Sequence, residues 1–318
     1  MRELVSERFL TYQPNHGFGV ELFLLETAFE IARTLQRTLV IPPMPDLETN
    51  NYRQGLDRYF RLKTDWPWIS MEEYIASHNN VIDVAFQILP SYRKEYGSPE
   101  IRRLHPVWLD NIERLTSFRC MGLQTSEVRR LEIDHSMTLS EVRSILNTDD
   151  TLIGLSYING LVESIRVLVE DAITKTEPLL HHVPTLSQDL FLQMACSFAG
   201  DGPYTALHWR RGYHLKEVAK ILGDAELPTT QAMLGFVPPD AGQLIIASDS
   251  GVDDFKYLAG DRNIHTFRHP NPQVNAVVDI ALCVGADRFI GTQASTFSAY
   301  VAYSRSAQGH LKTSTVLL

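Results

Sequence analysis

The sequence of 318 residues contains only three cysteines, Cys120, Cys196 and Cys283, and they are far apart. An odd number of widely spaced cysteines predicts neither a disulfide framework nor a cysteine-based zinc site. The chain also lacks an apolar run near the roughly 18 residues that a membrane helix needs. Its charged N-terminus lacks the apolar core of a signal peptide. These absences favour a reducing compartment, and we expect a cytoplasmic protein.

Positive charge is scarce as well. The formal net charge of -9 at pH 7 argues against general binding to nucleic acids or anionic membranes, because both require cationic surfaces. The chain contains no Asp-x-Asp tripeptide, the motif with which many transferases that use nucleotide sugars hold a divalent cation. We therefore expect no metal and no other cofactor. If a diphosphate binds, arginines and helix N-termini have to neutralise its charge.

The composition that remains is that of a globular protein, with 44% hydrophobic and 21% charged residues. A chain of this length exceeds a single ordinary core, because cores tend to split beyond about 250 to 300 residues. We expect an N-terminal α/β domain at residues 1–185 and a C-terminal Rossmann-like domain at residues 186–318. The predicted fold class is α/β, with the two domains facing one another.

The N-terminal domain opens with the pattern of a βαβ unit. An extended apolar segment, residues 8–13, leads into a glycine-containing turn and a helix with apolar residues at helical spacing from Leu22 to Leu35. A short buried strand follows at residues 38–41 and ends at two prolines. Residues 48–200 show helical patterns and few clear strands, so only the completion of an α/β domain is predicted there.

The C-terminal domain alternates more clearly between strands and helices. Repeated βα order with short turns predicts a parallel sheet with helices on both faces. The predicted strands are residues 204–209, 244–247, 264–267 and 288–291, and the predicted helices are residues 253–258, 274–284 and 296–303.

Two adjacent arginines, Arg210 and Arg211, follow the first strand of this domain directly after His208 and Trp209. Ligands bind at the carboxyl ends of parallel strands, and the planar guanidinium group pairs well with a diphosphate. Neighbouring residues of a strand point to opposite faces, so only one of the two can enter a crevice. The segment alone is equally compatible with a pair of surface arginines.

Three further residues lie where a nucleotide could bind. Ser295 comes between a buried strand and a helix, where its hydroxyl can cap the helix or bind a phosphate oxygen. Asp249 belongs to the polar segment Ala247-Ser248-Asp249-Ser250-Gly251 at the carboxyl end of another predicted strand, where a base or ribose is usually held, although a capped helix start explains this segment equally well. Asp279, inside a predicted helix, can accept hydrogen bonds from a base or interact locally.

Three motifs together resemble the GDP-fucose protein O-fucosyltransferase family and, more loosely, the alpha-1,6-fucosyltransferases. The family has a Gly-Phe turn, a helix and an Arg-Thr-Leu strand, then a His-x-Arg strand end, then an Ile-Gly strand followed by Ser-Thr-Phe. Arg211 adds the second arginine of the alpha-1,6 branch. The matching segments, in chain order, are His16-Gly17-Phe18-Gly19 with the strand from Arg37 to Pro43, then His208-Trp209-Arg210, then Ile290-Gly291 with Ser295-Thr296-Phe297.

The resemblance implies a GT-B fold, in which two Rossmann-like domains face a central cleft. It implies inverting, metal-independent transfer of fucose from GDP-fucose to a hydroxyl-bearing acceptor. Arg210 would act on the β-phosphate as the central catalytic residue. The other residues implied in donor binding are His208, Arg211, Ser295, Thr296, Phe297, Gly17, Phe18, Gly19, Asp249 and Asp279.

The chain departs from the family at three places. Val20 stands where one branch has asparagine, and Tyr213-His214 stands where an acidic residue is common. His16 occupies the position of a glutamate that acts as base in another branch, and histidine can do this work near neutral pH.

These departures leave the acceptor open among protein Ser/Thr, a glycan and a small molecule. They also leave two alternatives for the function. One is a transferase that uses another GDP-sugar. The other is a non-catalytic GT-B protein that binds a nucleotide sugar or a glycan.

Overall fold

The computed structural model describes residues 7–14, 18–45, 52–62, 64–90, 115–133, 144–156, 188–209, 230–239, 241–248, 263–292, 295–310 and 314–317. These residues divide into two compact units. The first contains the described residues up to Arg58 and from 62 to 156, and the second contains Tyr59–Arg61 and those from 188 onward. The predicted boundary at residue 185 lies outside the described residues and stays a prediction. In the described part of the chain, no helix is long and apolar enough to cross a membrane.

A parallel sheet of six strands forms the centre of the first unit. Its order is β5-β2-β1-β8-β6-β7, and each strand is parallel to its neighbours. A short antiparallel pair, β3 with β4, accompanies it. The strands are β1 (Phe9–Tyr12), β2 (Thr38–Ile41), β3 (Pro43–Pro45), β4 (Tyr52–Gly55), β5 (Trp68–Ser70), β6 (Val81–Pro90), β7 (Gln124–Ile133) and β8 (Leu152–Leu155).

The predicted βαβ unit is confirmed. Helix α1 (Phe18–Leu35) connects β1 to β2, and its apolar residues from Leu22 to Leu35 are buried. Two shorter helices, α2 (Met71–Ser77) and α3 (Thr116–Cys120), pack on the sheet. Their core contains Phe9, Val40, Tyr74, Ile82 and Phe118, all almost fully buried.

The expectation of few strands between residues 48 and 200 is wrong, because β4 to β8 all lie there. β7 shows no apolar pattern because residues 126–130 are exposed on both faces of an edge strand. β6 contains an apolar run that Asp83 interrupts. The Asp83 carboxylate accepts the N–H of Leu152 at 2.8 Å, which ties β6 to β8 and makes this acid a structural residue.

The second unit is built on a parallel sheet of five strands in the order β11-β10-β9-β12-β13. Its predicted strands and its two last helices are confirmed, and the predicted helix at 253–258 lies outside the described residues. The elements are α4 (Asp189–Ala199), β9 (Tyr204–His208), α5 (Thr230–Gly235), β10 (Gln243–Ala247), β11 (Asn263–His265), α6 (Pro272–Gly285), β12 (Arg288–Gly291), α7 (Thr296–Ala307) and β13 (Thr315–Leu317).

The strand order of this second sheet reverses direction at one place. The chain runs outward from β9 to β10 and β11, and then returns to place β12 on the other side of β9. In open parallel sheets such a reversal opens a crevice at the carboxyl ends of the two central strands. The ends of β9 and β12, at His208 and Gly291, are therefore where a ligand of this unit is expected.

Each unit contains a fully buried arginine at the amino edge of its sheet, which is the edge opposite the carboxyl ends of the strands. In the first unit, Arg37 donates hydrogen bonds to the carbonyl oxygens of Thr148 (2.5 Å), Asp150 (2.7 Å) and Phe9 (3.2 Å). Burial lowers the pKa of Arg37 to about 10, so the guanidinium stays charged at neutral pH. This arginine, which belongs to the first family motif, is thus a structural residue.

The second unit has Arg305 in the equivalent role. Its guanidinium, also fully buried, joins the end of α6 to the starts of β12 and β13. It donates to the carbonyl oxygens of Ala286 (2.6 Å), Val284 (2.8 Å), Cys283 (3.3 Å), Ser314 (3.3 Å) and Asp287 (3.4 Å), and to the hydroxyls of Ser314 and Thr315 (both 2.9 Å). A single side chain therefore satisfies carbonyl groups from three elements.

Candidate functional site

Hydroxyl groups from two neighbouring strand ends hold the backbone that leads into Arg210. Ser248, directly after β10, donates to the carbonyl oxygen of Trp209 at 2.5 Å. Thr292, directly after β12, donates to the carbonyl oxygen of His208 at 3.4 Å. Arg210 lies outside the described residues, but the two residues before it are buried and fixed from both sides.

The imidazole of His208 is buried, with 6% of the residue exposed, and is held by two residues of α7. Its ring stacks on Phe297, with ring centroids 4.3 Å apart and planes inclined by 24°. Its Nδ1 lies 2.7 Å from the hydroxyl oxygen of Ser298. Two residues of the predicted site, His208 and Phe297, are thus brought into direct contact.

Ser295 stands at the N-cap of α7, but its side chain makes no capping hydrogen bond. Only 2% of the residue is exposed, and its hydroxyl oxygen has no hydrogen-bond partner among the described residues. The first N–H groups of a helix have no intrahelical acceptor, and here the cap residue does not supply one. The usual capping role is therefore wrong for Ser295. A buried hydroxyl and the first-turn N–H groups, beginning at Thr296, remain for an anion.

Gly291 lets α7 approach the end of β12 closely. A Cβ at this residue would lie 2.7 Å from the hydroxyl oxygen of Ser298 and 2.8 Å from atoms of Phe289 and Leu317. No side chain fits there without moving these neighbours. The Ile-Gly of the third family motif is thus explained by packing, because it seats the helix that carries Ser295 and Ser298.

Asp279 is buried in the middle of α6, with 6% of the residue exposed. Asn275 donates to its Oδ2 at 2.8 Å, and its Oδ1 accepts no hydrogen bond among the described residues. Burial raises the pKa of Asp279 well above its usual value, and the positive charge of Arg268 and the Asn275 hydrogen bond oppose that shift. A buried acid with one unsatisfied oxygen is suited to accept hydrogen bonds from a ligand.

The remaining predicted site residues divide into two groups. Phe18 and Gly19 are the first residues of α1 in the first unit. His16, Gly17, Arg210, Arg211 and Asp249 lie outside the described residues, and their roles stay predictions. Among the described residues, no group of three His, Cys, Asp or Glu side chains is arranged to hold a metal ion, and the expected metal independence also stays a prediction.

Three residues that shape this site lie in segments that the sequence indicated, but none of them was predicted as a site residue. They are Ser248, Thr292 and Ser298, which donate to the 208–209 backbone or contact His208. Ser248 and Thr292 each follow a buried strand directly, and a hydroxyl residue at a strand end is a pattern from which the sequence could have predicted them. Ser298 follows Ser295 by three residues, close to one helical turn, but nothing in the sequence pairs it with His208.

A separate cavity of about 480 Å³ lies in the first unit, at the carboxyl ends of β2 and β5. Its lining mixes apolar residues with polar ones, and its charged residues are Asp57, Arg58 and Glu72. Burial raises the pKa of the Asp57 carboxyl. None of the predicted site residues that the structure describes lines this cavity.

The described fold is similar to solved structures of POFUT1. The structure of POFUT1 in complex with GDP-fucose has a TM-score of 0.68 at 14% sequence identity, with 98% of each chain covered. The complex of POFUT1 with GDP has a TM-score of 0.66 at the same identity and coverage. NodZ alpha-1,6-fucosyltransferase, soaked with GDP-fucose, gives 0.48 at 13% identity, with 93% of this chain and 92% of that chain covered.

Comparison by sequence finds no such likeness. No protein-family model matches the chain, and no curated protein is significantly similar to it. The predicted α/β fold is confirmed, and it is similar to the fold of the POFUT1 structures. This likeness in fold agrees with the family resemblance that the three motifs indicate.

Proposed function

We propose that this protein is a glycosyltransferase that moves fucose from GDP-fucose to a hydroxyl group of an acceptor. The observation that carries the proposal is the buried Ser295 hydroxyl, which neither caps its helix nor bonds to another described residue. It stands at the start of α7, beside the reversal point of the sheet. POFUT1, which has the same fold, binds GDP and GDP-fucose in its crystal structures.

In the proposed reaction, the acceptor oxygen attacks the anomeric carbon in line with the departing GDP and inverts its configuration. The new carbon–oxygen bond forms as the bond to the β-phosphate oxygen breaks. Arg210, Ser295, Thr296 and His208 stabilise the charge that develops on the diphosphate. No divalent cation takes part, because arginine and the helix N-terminus supply the positive potential.

His16 is proposed to take the proton of the acceptor hydroxyl. The wild type should then lose activity toward low pH, because a base with a pKa near 6.5 becomes protonated there. The pH–rate profile of His16→Ala should lack this loss. An unchanged profile would remove His16 from the mechanism.

The remaining proposals concern the guanosine, the acceptor and the compartment. Asp279 accepts hydrogen bonds from the guanine, and Asp249 binds the ribose or base. The acceptor is a protein serine or threonine, a glycan or a small molecule. The compartment is the cytoplasm, which agrees with three cysteines that are all free thiols, and microscopy of a fluorescent fusion in the host cell tests it.

Incubation with GDP-fucose alone tests the function. A transferase releases GDP slowly because water replaces the acceptor, and this release continues in the presence of EDTA if no metal takes part. A rise in melting temperature without GDP release would instead identify a non-catalytic nucleotide-sugar binder. Faster release from GDP-mannose than from GDP-fucose would assign another donor to the same site.

Ser295→Ala is expected to weaken GDP binding about tenfold without destabilising the protein. A hydrogen bond to a charged group contributes about 1.5 to 3 kcal/mol, whereas a capping serine normally stabilises by about 0.5 to 2 kcal/mol. Because Ser295 makes no capping bond, the loss of stability should stay under about 0.5 kcal/mol. Calorimetric titration with GDP and urea denaturation measure the two quantities. Unchanged GDP affinity together with a loss of stability would make Ser295 an ordinary cap.

Asp279→Asn is expected to weaken GDP binding about 10- to 100-fold and to reduce the preference for GDP over IDP. Guanine presents two donors, N1–H and the 2-amino group, to an ionised carboxylate, and inosine lacks the second. Burial raises the pKa of Asp279, so in the ligand-free protein its carboxyl group stays protonated to a higher pH. This proton must leave when GDP binds to the ionised carboxylate. GDP affinity should therefore rise with pH until the carboxyl is ionised, and Asp279→Asn should abolish this dependence. Equal affinities for GDP and IDP in the wild type would contradict the assignment.

A further inference from the structure

The hydroxyl of Ser298 lies between His208 and the loop that follows β12. Ser298 is fully buried in the first turn of α7. Its oxygen is 2.7 Å from Nδ1 of His208 and 3.0 Å from the backbone nitrogen of Thr292. Among the described residues, these are its two hydrogen-bond partners.

Among the described residues, the proton of this hydroxyl has one possible acceptor, Nδ1 of His208. The backbone N–H of Thr292 can only donate, so the Ser298 oxygen accepts there. If Nδ1 of His208 also donated, the Ser298 proton would be left buried without an acceptor among the described residues, which is costly. The Ser298 hydroxyl therefore donates to Nδ1, and the proton of the neutral imidazole lies on Nε2.

We propose that Ser298 is a positioning residue that keeps His208 in the Nε2–H tautomer, so that this nitrogen donates to an oxygen of the donor diphosphate. The inference deepens the proposed function and rests on it for the identity of the ligand. The tautomer itself follows from the contacts within the second unit.

Packing restricts the imidazole to one orientation, so that the Nε2–H group of this tautomer also has a fixed direction. Phe297 stacks on the ring, and Gly291 allows Ser298 to reach Nδ1, because any side chain at that residue would meet the Ser298 hydroxyl. A ring with one orientation and one tautomer offers its donor in a fixed place before the ligand arrives. Such preorganisation avoids an ordering cost on binding.

Nitrogen NMR of the ligand-free protein tests the tautomer directly. The spectrum is recorded on protein with 15N-labelled histidine at about pH 8, above the ordinary histidine pKa of about 6.5. His208→Gln identifies the signals of His208 among the 11 histidines. We expect the wild-type signals of Nε2–H with an unprotonated Nδ1. A proton on Nδ1 in the wild type would overturn the inference without any variant.

Ser298→Ala and a matched control test the cause. In Ser298→Ala we expect the Nδ1–H tautomer to appear, because the hydroxyl no longer donates to Nδ1. Ser304→Ala removes another buried serine hydroxyl of α7, one that has no hydrogen-bond partner in the described part of the chain, and should leave the tautomer unchanged. If Ser298→Ala does not fold, Ser298→Cys, whose thiol donates weakly, should give a mixture of tautomers. A pure Nε2–H signal in whichever of these two variants folds would overturn the inference.

Titration with GDP connects the tautomer to binding. GDP affinity should fall about fivefold to tenfold in Ser298→Ala and stay unchanged in Ser304→Ala. A changed tautomer with unchanged GDP affinity would overturn the positioning role. If the wild type binds no GDP, the proposed function fails, and the positioning role toward a diphosphate fails with it. The NMR result then still decides whether Ser298 sets the tautomer.

Discussion

Arg210→Ala is expected to reduce the turnover of GDP-fucose by a factor of about 10² to 10³, because removal of one preorganised charge-stabilising group typically costs that much in rate. Arg210→Lys should recover only part of the loss, since lysine keeps the charge but not the planar pair of donors. Release of GDP, measured with saturating donor, gives the rate for each variant.

The control for this experiment is Arg33→Ala. Arg33 is a half-exposed arginine of α1 that pairs with Glu30, and its removal should leave turnover unchanged. Melting temperatures of all the variants should match the melting temperature of the wild type.

Arg211→Ala shows which of the two adjacent arginines acts on the diphosphate, and a smaller effect on turnover than that of Arg210→Ala is expected. Normal turnover by Arg210→Ala would disprove the catalytic assignment.

Arg305→Met is expected to lower the free energy of unfolding by about 3 to 5 kcal/mol. Methionine fills part of the volume but leaves the carbonyl groups at the end of α6 and the start of β13 without donors, and each unsatisfied buried group costs about 1 to 3 kcal/mol. A loss of this size corresponds to a fall in melting temperature of about 10 °C for a domain of this size. Urea denaturation followed by circular dichroism measures it.

Arg33→Met is the matched substitution at the surface. Exposed ion pairs contribute about 0 to 1 kcal/mol, so this variant should lie close to the wild type. If Arg305→Met lost no more stability than Arg33→Met, the seven hydrogen bonds of Arg305 would not contribute to stability.

The parts of the fold that could be predicted share one physical property. β1, β2, β9, β10 and β12 are short apolar runs, buried on both faces and bounded by turns, so their burial is visible in the sequence. β7 is an edge strand whose residues face solvent, and β6 includes a carboxylate that serves a backbone N–H. Neither shows the pattern of a buried strand, so both were missed.

The candidate site, like the fold, could be predicted only in part. His208, Ser295 and Phe297 were found because they belong to short motifs next to strand ends. The contact of Ser298 with His208 joins residues 90 positions apart, and only the order of the sheet brings β9 beside β12. Likewise, the sequence could place Ser295 at a helix start, but whether its hydroxyl caps the helix depends on a rotamer set by packing.

The two buried arginines lie at the amino edges of the sheets, whereas the candidate ligand site lies at a carboxyl edge. Substitutions at the two edges should therefore have different fates in a cell. Variants at the carboxyl edge would accumulate as folded protein without activity, and they could compete with the wild type for acceptors. Variants at the amino edge would populate the unfolded state and be removed by proteolysis, so their effect would be a lower amount of protein.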